Sequence, residues 1–224
     1  MLGRTLIAAL LIAAACDKTP EAKADTTASA KPAPAPTAPT AAPTPVSPAP
    51  RKLYLDVHDV KDVKAADVAA AHRKDLATQG KYGVDFKAYW VDEKIGKVYC
   101  LAEAPSAEAM KKVHQEAHGL LPREVMEVRA DNMSWNPAPG KKLFLDMHHL
   151  GANTVTPEAV AGAHKKDLEV QSKYGVRYLD YWFDEANGIV MCLSEAPSAD
   201  MAINVHKEAH GLVPESIEEV TEGR

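Results

Sequence analysis

Leu53, Leu55 and Val57 alternate with Tyr54, Asp56 and His58, the period of two expected of a half-buried strand. The pattern then becomes helical from about Ala66 to Tyr82 and stops at Gly83, where a left-handed residue closes a helix. A strand through Tyr89 and Trp90, a turn, and an apolar strand from Val98 to Glu103 come next. Ser106 is placed as the N-cap of a second helix ending at His118-Gly119, and a short last strand carries Val125 and Val128. The same order then returns. It opens with Leu143 to His148, and its first helix is announced by Thr156-Pro157-Glu158 and closed by Gly175. Asn187-Gly188 marks a hairpin, Ser198 caps the second helix, which ends at His210-Gly211, and Ile217 and Val220 lie in the last strand.

The two passes are copies of one unit. HRKDLATQGKYGV at 72–84 recurs as HKKDLEVQSKYGV at 164–176, CLAEAPSA at 100–107 as CLSEAPSA at 192–199, and VHQEAHGLLP at 113–122 as VHKEAHGLVP at 205–214. Without gaps, 66–128 and 158–220 share 35 of 63 positions. The opening strands match at an offset of 90 rather than 92, so the loop after the first strand is two residues longer in the second copy. The organisation is a tandem duplication.

The order β-α-β-β-α-β is the split βαβ, or ferredoxin-like, unit. Both helices cover one face of a four-stranded antiparallel sheet and leave the other bare, with Tyr54 and Phe144 expected to line it. A bare apolar face needs a cover. Two units in one chain therefore predict an α+β fold of two ferredoxin-like domains, packed open face to open face as an internal pseudo-dimer, like a dimeric α+β barrel. The repeats are expected over 51–129 and 142–224, with 130–141 as connector.

The N-terminal segment reads differently. Arg4 precedes a Leu/Ile/Ala run that is too short to span a bilayer, and Ala13-Ala14-Ala15-Cys16 resembles the lipobox of bacterial lipoproteins. Residues 1–16 are thus expected to be a lipoprotein signal with Cys16 the lipidated residue. This makes the chain an envelope protein facing the periplasm, with the inner or outer membrane left open. Asp17 would favour inner-membrane retention in some bacteria. Residues 17–50 are almost wholly Ala, Pro, Thr, Lys and Ser, and hold nine of the sixteen prolines. Such a stretch buries too little apolar surface to offset its ordering entropy and reads as a disordered tether. The net charge of −5 argues against nucleic acid as a partner. Cys100 and Cys192 stand alone in apolar runs and read as small buried hydrophobes.

Candidate chemistry rests on histidine. Eight of the nine histidines form equivalent pairs, His58/His148, His72/His164, His114/His206 and His118/His210, and His149 is unpaired. His114 and His118, like His206 and His210, lie one helical turn apart, a spacing that lets two imidazoles reach one metal ion. His58 and His72 are expected to approach the same end of the domain, with Asp75 (and Asp167 in the second copy) orienting His72 (His164). Strand alternation aims His58 away from Leu55 and Val57, toward the open face, where it would meet an ion shared with the other copy. Glu103 and Glu195 are further possible ligands, or simple turn carboxylates. An all-imidazole set suits Ni(II), Zn(II), Cu(II) or Co(II). Nothing in the sequence marks a nucleophile with its base.

The blocks AHKKDLEVQSKYGVRYLDYWFDE, CLSEAPSA and VHKEAHGLVPESIEEV closely resemble a bacterial family of small nickel-binding ferredoxin-like domains. The resemblance spans each repeat, and its His-x-Glu-Ala-His-Gly block falls on His114 to Gly119 and on His206 to Gly211. It implies a ferredoxin-like fold, dimers of single domains, and Ni(II) held by histidines, with no catalytic activity attached. The expected function is an envelope-anchored nickel protein that buffers, senses or delivers the ion. Two alternatives stay open: an oxygenase-like barrel enzyme with a cavity between its sheets, and a non-catalytic interaction domain.

Overall fold

Each repeat lays down the anticipated elements in a computed structural model that describes residues 50–131 and 133–224. The signal segment with Cys16, and the tether up to residue 49, lie outside the described residues. The first repeat runs β1 (Lys52–Asp59), α1 (Ala65–Thr78), β2 (Asp85–Asp92), β3 (Lys97–Ala104), α2 (Ala107–Ala117) and β4 (Glu124–Ala130). The second runs β5 (Leu143–His149), α3 (Pro157–Val170), β6 (Arg177–Asp184), β7 (Ile189–Glu195), α4 (Ala199–Ala209) and β8 (Ser216–Gly223). Two of the three expected side-chain caps form, whereas Ser198 stands at the N-cap of α4 without a side-chain cap bond. The Ser106 hydroxyl accepts the Ala109 N–H at 3.2 Å, and Thr156 accepts that of Ala159 at 3.3 Å. Gly83 and Gly175 take φ of 68° and 66°, closing the 3-10 turns that extend α1 and α3.

The two sheets join into one closed barrel in the order β1-β3-β2-β8-β5-β7-β6-β4. The joins are β2 on β8 (Tyr89 opposite Gly223) and β4 on β6 (Ala130 opposite Trp182). Closure leaves neither repeat with a free sheet edge. At the first join a Cβ on Gly223 would stand 2.1 Å from the end of the Tyr89 ring, so any larger residue there would have to displace that ring.

The barrel interior is built from Leu55, Val57, Trp90, Leu101, Leu145, Trp182, Met191 and Leu193. Trp135 of the connector inserts among them. Its ring centroid lies 5.7 Å from that of Trp90 and 5.5 Å from that of Trp182, and both Trp90 and Trp135 donate their indole N–H to Glu222. The space between the sheets is therefore occupied by side chains. A second layer lies between each sheet and its helices, with Tyr54, Phe86, Tyr89, Met110 and Val113 in the first repeat. Phe144, Tyr178, Tyr181, Ala202 and Val205 are in the second.

This arrangement corrects the assignment of faces. The alternation of β1 is as read, but Leu55 and Val57 point into the barrel, whereas Tyr54, Asp56 and His58 point at the helices. Phe144 likewise packs under its helices. The faces are exchanged because the helices cover a polar centre as well as an apolar one.

Candidate metal centre

The polar centre begins with the strand register. Asp56 lies directly across from Cys100 in the β1–β3 ladder, and His58 is two residues along on the same face. α2 crosses above them and lowers His114 onto this spot. The His114 Nε2 is 2.8 Å from Asp56 Oδ2, and its Nδ1 is 3.1 Å from Asp75 Oδ1 on α1. The second repeat repeats the geometry, with Asp146 opposite Cys192 and His206 between Asp146 (3.1 Å) and Asp167 (3.1 Å). Asp56, His58, Cys100 and His114 each offer a ligand atom within 4.8 Å of the others, as do Asp146, His148, Cys192 and His206, and all eight residues are buried. Asp75, His114 and His118, with Asp167, His206 and His210, form a second, shallower group of the same kind in each repeat.

Tautomers separate the two groups. The backbone N–H of Leu120 donates to His118 Nδ1, so a neutral His118 carries its proton on Nε2 and gives it to Asp75. His210 is fixed in the same way by Leu212 and Asp167. A nitrogen that is already donating has no lone pair for a metal ion. Asp75 also accepts from His114 Nδ1. That leaves His114 Nε2 as the nitrogen to present to an ion, in a carboxylate–histidine arrangement of the kind that steadies metal-bound imidazole.

The inner group fits a cation by an independent observation. Asp56 Oδ1 and Asp146 Oδ1 are fully buried and have no hydrogen-bond partner. Each lies close to an imidazole nitrogen, His58 Nε2 at 3.2 Å and His148 Nε2 at 3.4 Å, in contact but not in hydrogen-bonding geometry. An orphaned carboxylate oxygen is costly. Two donor atoms about 3 Å apart are what adjacent ligands on an ion with bonds of about 2.1 Å would show. One carboxylate and one thiolate would also balance a divalent charge inside the protein.

Without the ion, protons take its place. Burial would push the His114 imidazole down, but hydrogen bonds to Asp56 and Asp75 outweigh it and raise it to about 9. His206 is raised to about 9 between Asp146 and Asp167, against the same burial. Burial likewise opposes ionisation of Asp56, yet the imidazoles of His114 and His58 hold its carboxyl at about 2. The Cys100 and Cys192 thiols are pushed well up by burial and by the carboxylates beside them, so they hold their protons, which a coordinated ion would have to displace.

The other expected site residues fall elsewhere. His72 does not meet Asp75: both its ring nitrogens are buried without a partner, and it packs on Tyr89 at 4.7 Å between centroids. His164 takes the same place against Tyr181. Glu103 sits an odd number of residues from Cys100, hence on the other face of its strand, and pairs with Lys87 at 3.3 Å. Glu195 pairs with Arg177 at 2.7 Å. His58 lies against Asp56 of its own repeat, on the helix side of the sheet, and not on the face turned to the other copy. Asp56 and Cys100, with Asp146 and Cys192, were not foreseen. The available signal was Asp-x-His on one strand face and an apolar run whose cysteine shares that face.

The two centres differ at the strand residue beside the buried histidine. Where the first has Phe86, the second has Tyr178, whose hydroxyl lies 3.0 Å from His206 Nε2. That hydroxyl competes for the nitrogen an ion would use. Two unequal binding steps are therefore expected in a metal titration, and Tyr178→Phe should draw them together. An unchanged isotherm would rule out this role for Tyr178.

A family model described as nickel responsive protein SCO4226-like matches residues 54–128 and again 144–220. The crystal structure of SCO4226 from Streptomyces coelicolor A3(2) is 35% identical, with 34% of this chain and 93% of that chain covered and a TM-score of 0.33. A mutant chlorite dismutase from Candidatus Nitrospira defluvii is 5% identical (80% and 93% covered, TM-score 0.46). A putative monooxygenase from Lactobacillus acidophilus NCFM is 8% identical (77% and 94% covered, TM-score 0.42). Comparison with curated proteins gives no match.

Proposed function

The chain belongs to the SCO4226-like nickel responsive protein family, and we propose that it binds Ni(II), one ion per repeat, to buffer, sense or deliver it at the cell envelope. The observation that carries this reading is the buried Asp56-His58-Cys100-His114 group and its counterpart, each with an orphaned carboxylate oxygen. Those four side chains would hold the ion, with Asp75 orienting His114 and His118 supporting Asp75. The bound ion would supply a Lewis-acidic, exchangeable centre. Zn(II), Cu(II) and Co(II) suit the same nitrogen, oxygen and sulfur donors, and the order of intrinsic affinities does not choose among them. The family supports nickel.

Titration of the full chain with Ni(II) by calorimetry and absorption should reach two ions per chain, with a thiolate-to-nickel charge-transfer band. Cys100→Ser with Cys192→Ser should abolish the band. It should weaken binding by more than the roughly 10–100-fold that loss of an outer partner costs. Absence of stoichiometric uptake by the native chain would end the reading.

The envelope location rests on Cys16 and the segment before it. Cells fed a labelled fatty acid should label the native chain and not Cys16→Ser. Equal labelling of both, or of neither, would count against the anchor.

A further inference from the structure

Each repeat holds an apolar cavity between its helices and its sheet, outside the barrel. The first is about 90 Å³ and the second about 180 Å³. An engineered cavity of about 150 Å³ holds benzene, so the second has room for a molecule of that size and the first only for a smaller one. The second is the larger. The longer loop before α3 adds Thr154 to its wall, and Ala159 stands where the first has Asp67.

Two features make each cavity more than a packing gap. Three of the four inner donor side chains, His58, Cys100 and His114, line the first cavity, as His148, Cys192 and His206 line the second. On the wall stands His72, which is 4% exposed and has no partner for either ring nitrogen, in a position the metal centre does not use. His164 holds the equivalent place with its Nδ1 unpartnered. A buried imidazole can give one hydrogen bond and take another, and leaving both unmade is unfavourable. Leu120 lines the first cavity and is still 52% exposed, so the cavity opens to solvent beside it.

We propose that each cavity binds a small, mostly apolar molecule, up to the size of a six-membered ring in the second repeat and smaller in the first, with one neutral donor atom for the ion and one polar group for the imidazole of His72 or His164. This rests on the metal reading above. The donor is neutral because one carboxylate and one thiolate already balance a divalent ion, and a further anion would be an unpaired charge among valines. The repeats would thus take up the ion together with a small organic ligand, or hand it to one.

The test uses imidazole and 1-methylimidazole as probes on the nickel-loaded full chain, followed by calorimetry and by the ligand-field absorption of the ion. Imidazole should bind at up to two per chain. 1-Methylimidazole lacks the N–H and should bind about tenfold more weakly, the effect of one hydrogen bond. His72→Phe with His164→Phe should bring the two probes to equal affinity. Ala71→Phe with Ala163→Phe, which fills both cavities from their helices, should exclude both probes and leave nickel uptake intact. Equal binding to the native and filled chains would mean that the open position faces bulk solvent, and would overturn the proposal. So would a probe ratio insensitive to the His72 and His164 changes, or no probe binding at all. A chain that takes up no nickel fails earlier, at loading, and sinks the metal reading and this proposal together; a nickel-loaded chain that ignores imidazole sinks the proposal alone.

Discussion

His114→Ala with His206→Ala is expected to remove both ion sites and to destabilise the metal-free chain by roughly 3–5 kcal/mol per repeat. Each of these imidazoles is 1% exposed and joins two carboxylates. Its removal leaves Asp56 and Asp75, or Asp146 and Asp167, as buried acids that have lost the cation between them. Losing one partner of a buried pair costs more than losing the pair, because the remaining charge is uncompensated. Adding Asp56→Asn and Asp146→Asn to the variant should therefore recover part of the stability and none of the nickel binding. Urea denaturation of the native chain, the His→Ala variant, the Asp→Asn variant and the chain carrying both sets, all metal-free, measures this as a double-mutant cycle. A loss below about 1 kcal/mol per repeat would show that the histidines do not bridge the carboxylates as drawn.

How far the chain could be read in advance depended on which physical signal carried each feature. Element order came from hydrophobic period and cap residues, both local, and the repeat showed that whatever one unit does the other does. Pairing of the repeats followed from a bare sheet face needing cover. Which face is bare was not local information. Leu55 and Val57 pack on the other repeat, so the residues left for the helix side include Asp56 and His58, and polar residues under helices run against the usual expectation. The same tertiary fact hid the centre. Asp56 and Cys100 are 44 residues apart in sequence and become neighbours only through the β1–β3 register. Cys100 looks like a buried hydrophobe by its surroundings, and it is buried; its neighbours across the ladder give it chemistry. Trp135 was hidden for the opposite reason, since a Pro- and Gly-flanked connector gives no hint that one of its side chains fills a barrel.

Metal-free stability should fall as pH rises from mildly acidic to alkaline, while nickel affinity should rise over the same range. Below about pH 4 the curve is set by carboxylates. Asp56, held at about 2, contributes stability that is fully present above its unfolded value of 3.8 and is lost as pH falls through 2. Asp180 acts in the reverse sense. Burial raises its carboxyl to about 7, so the folded chain keeps a proton that the unfolded chain gives up at 3.8, and stability falls as pH rises between those values. His114 and His206, raised to about 9, contribute fully below 6.5, and their contribution is lost as pH climbs from 6.5 through 9. At roughly 1.4 kcal/mol per unit the loss is roughly 3 kcal/mol per repeat. His72 and His164 are lowered, chiefly by burial, and so act in the opposite sense, adding stability as pH approaches 6.5 from below. In the proposed site nickel would replace the protons on His114 Nε2 and on the Cys100 thiol, so uptake should release protons and strengthen as they become easier to remove. Denaturation with and without nickel at about pH 6 and about pH 8.5 tests both slopes at once. The two curves should diverge at the higher value, the metal-free chain weaker and the loaded chain stronger relative to it. A metal-free chain that gained stability between these values would show that His114 and His206 are not the charged bridges between their carboxylates, and a nickel increment independent of pH would show that the ion does not take their protons' place.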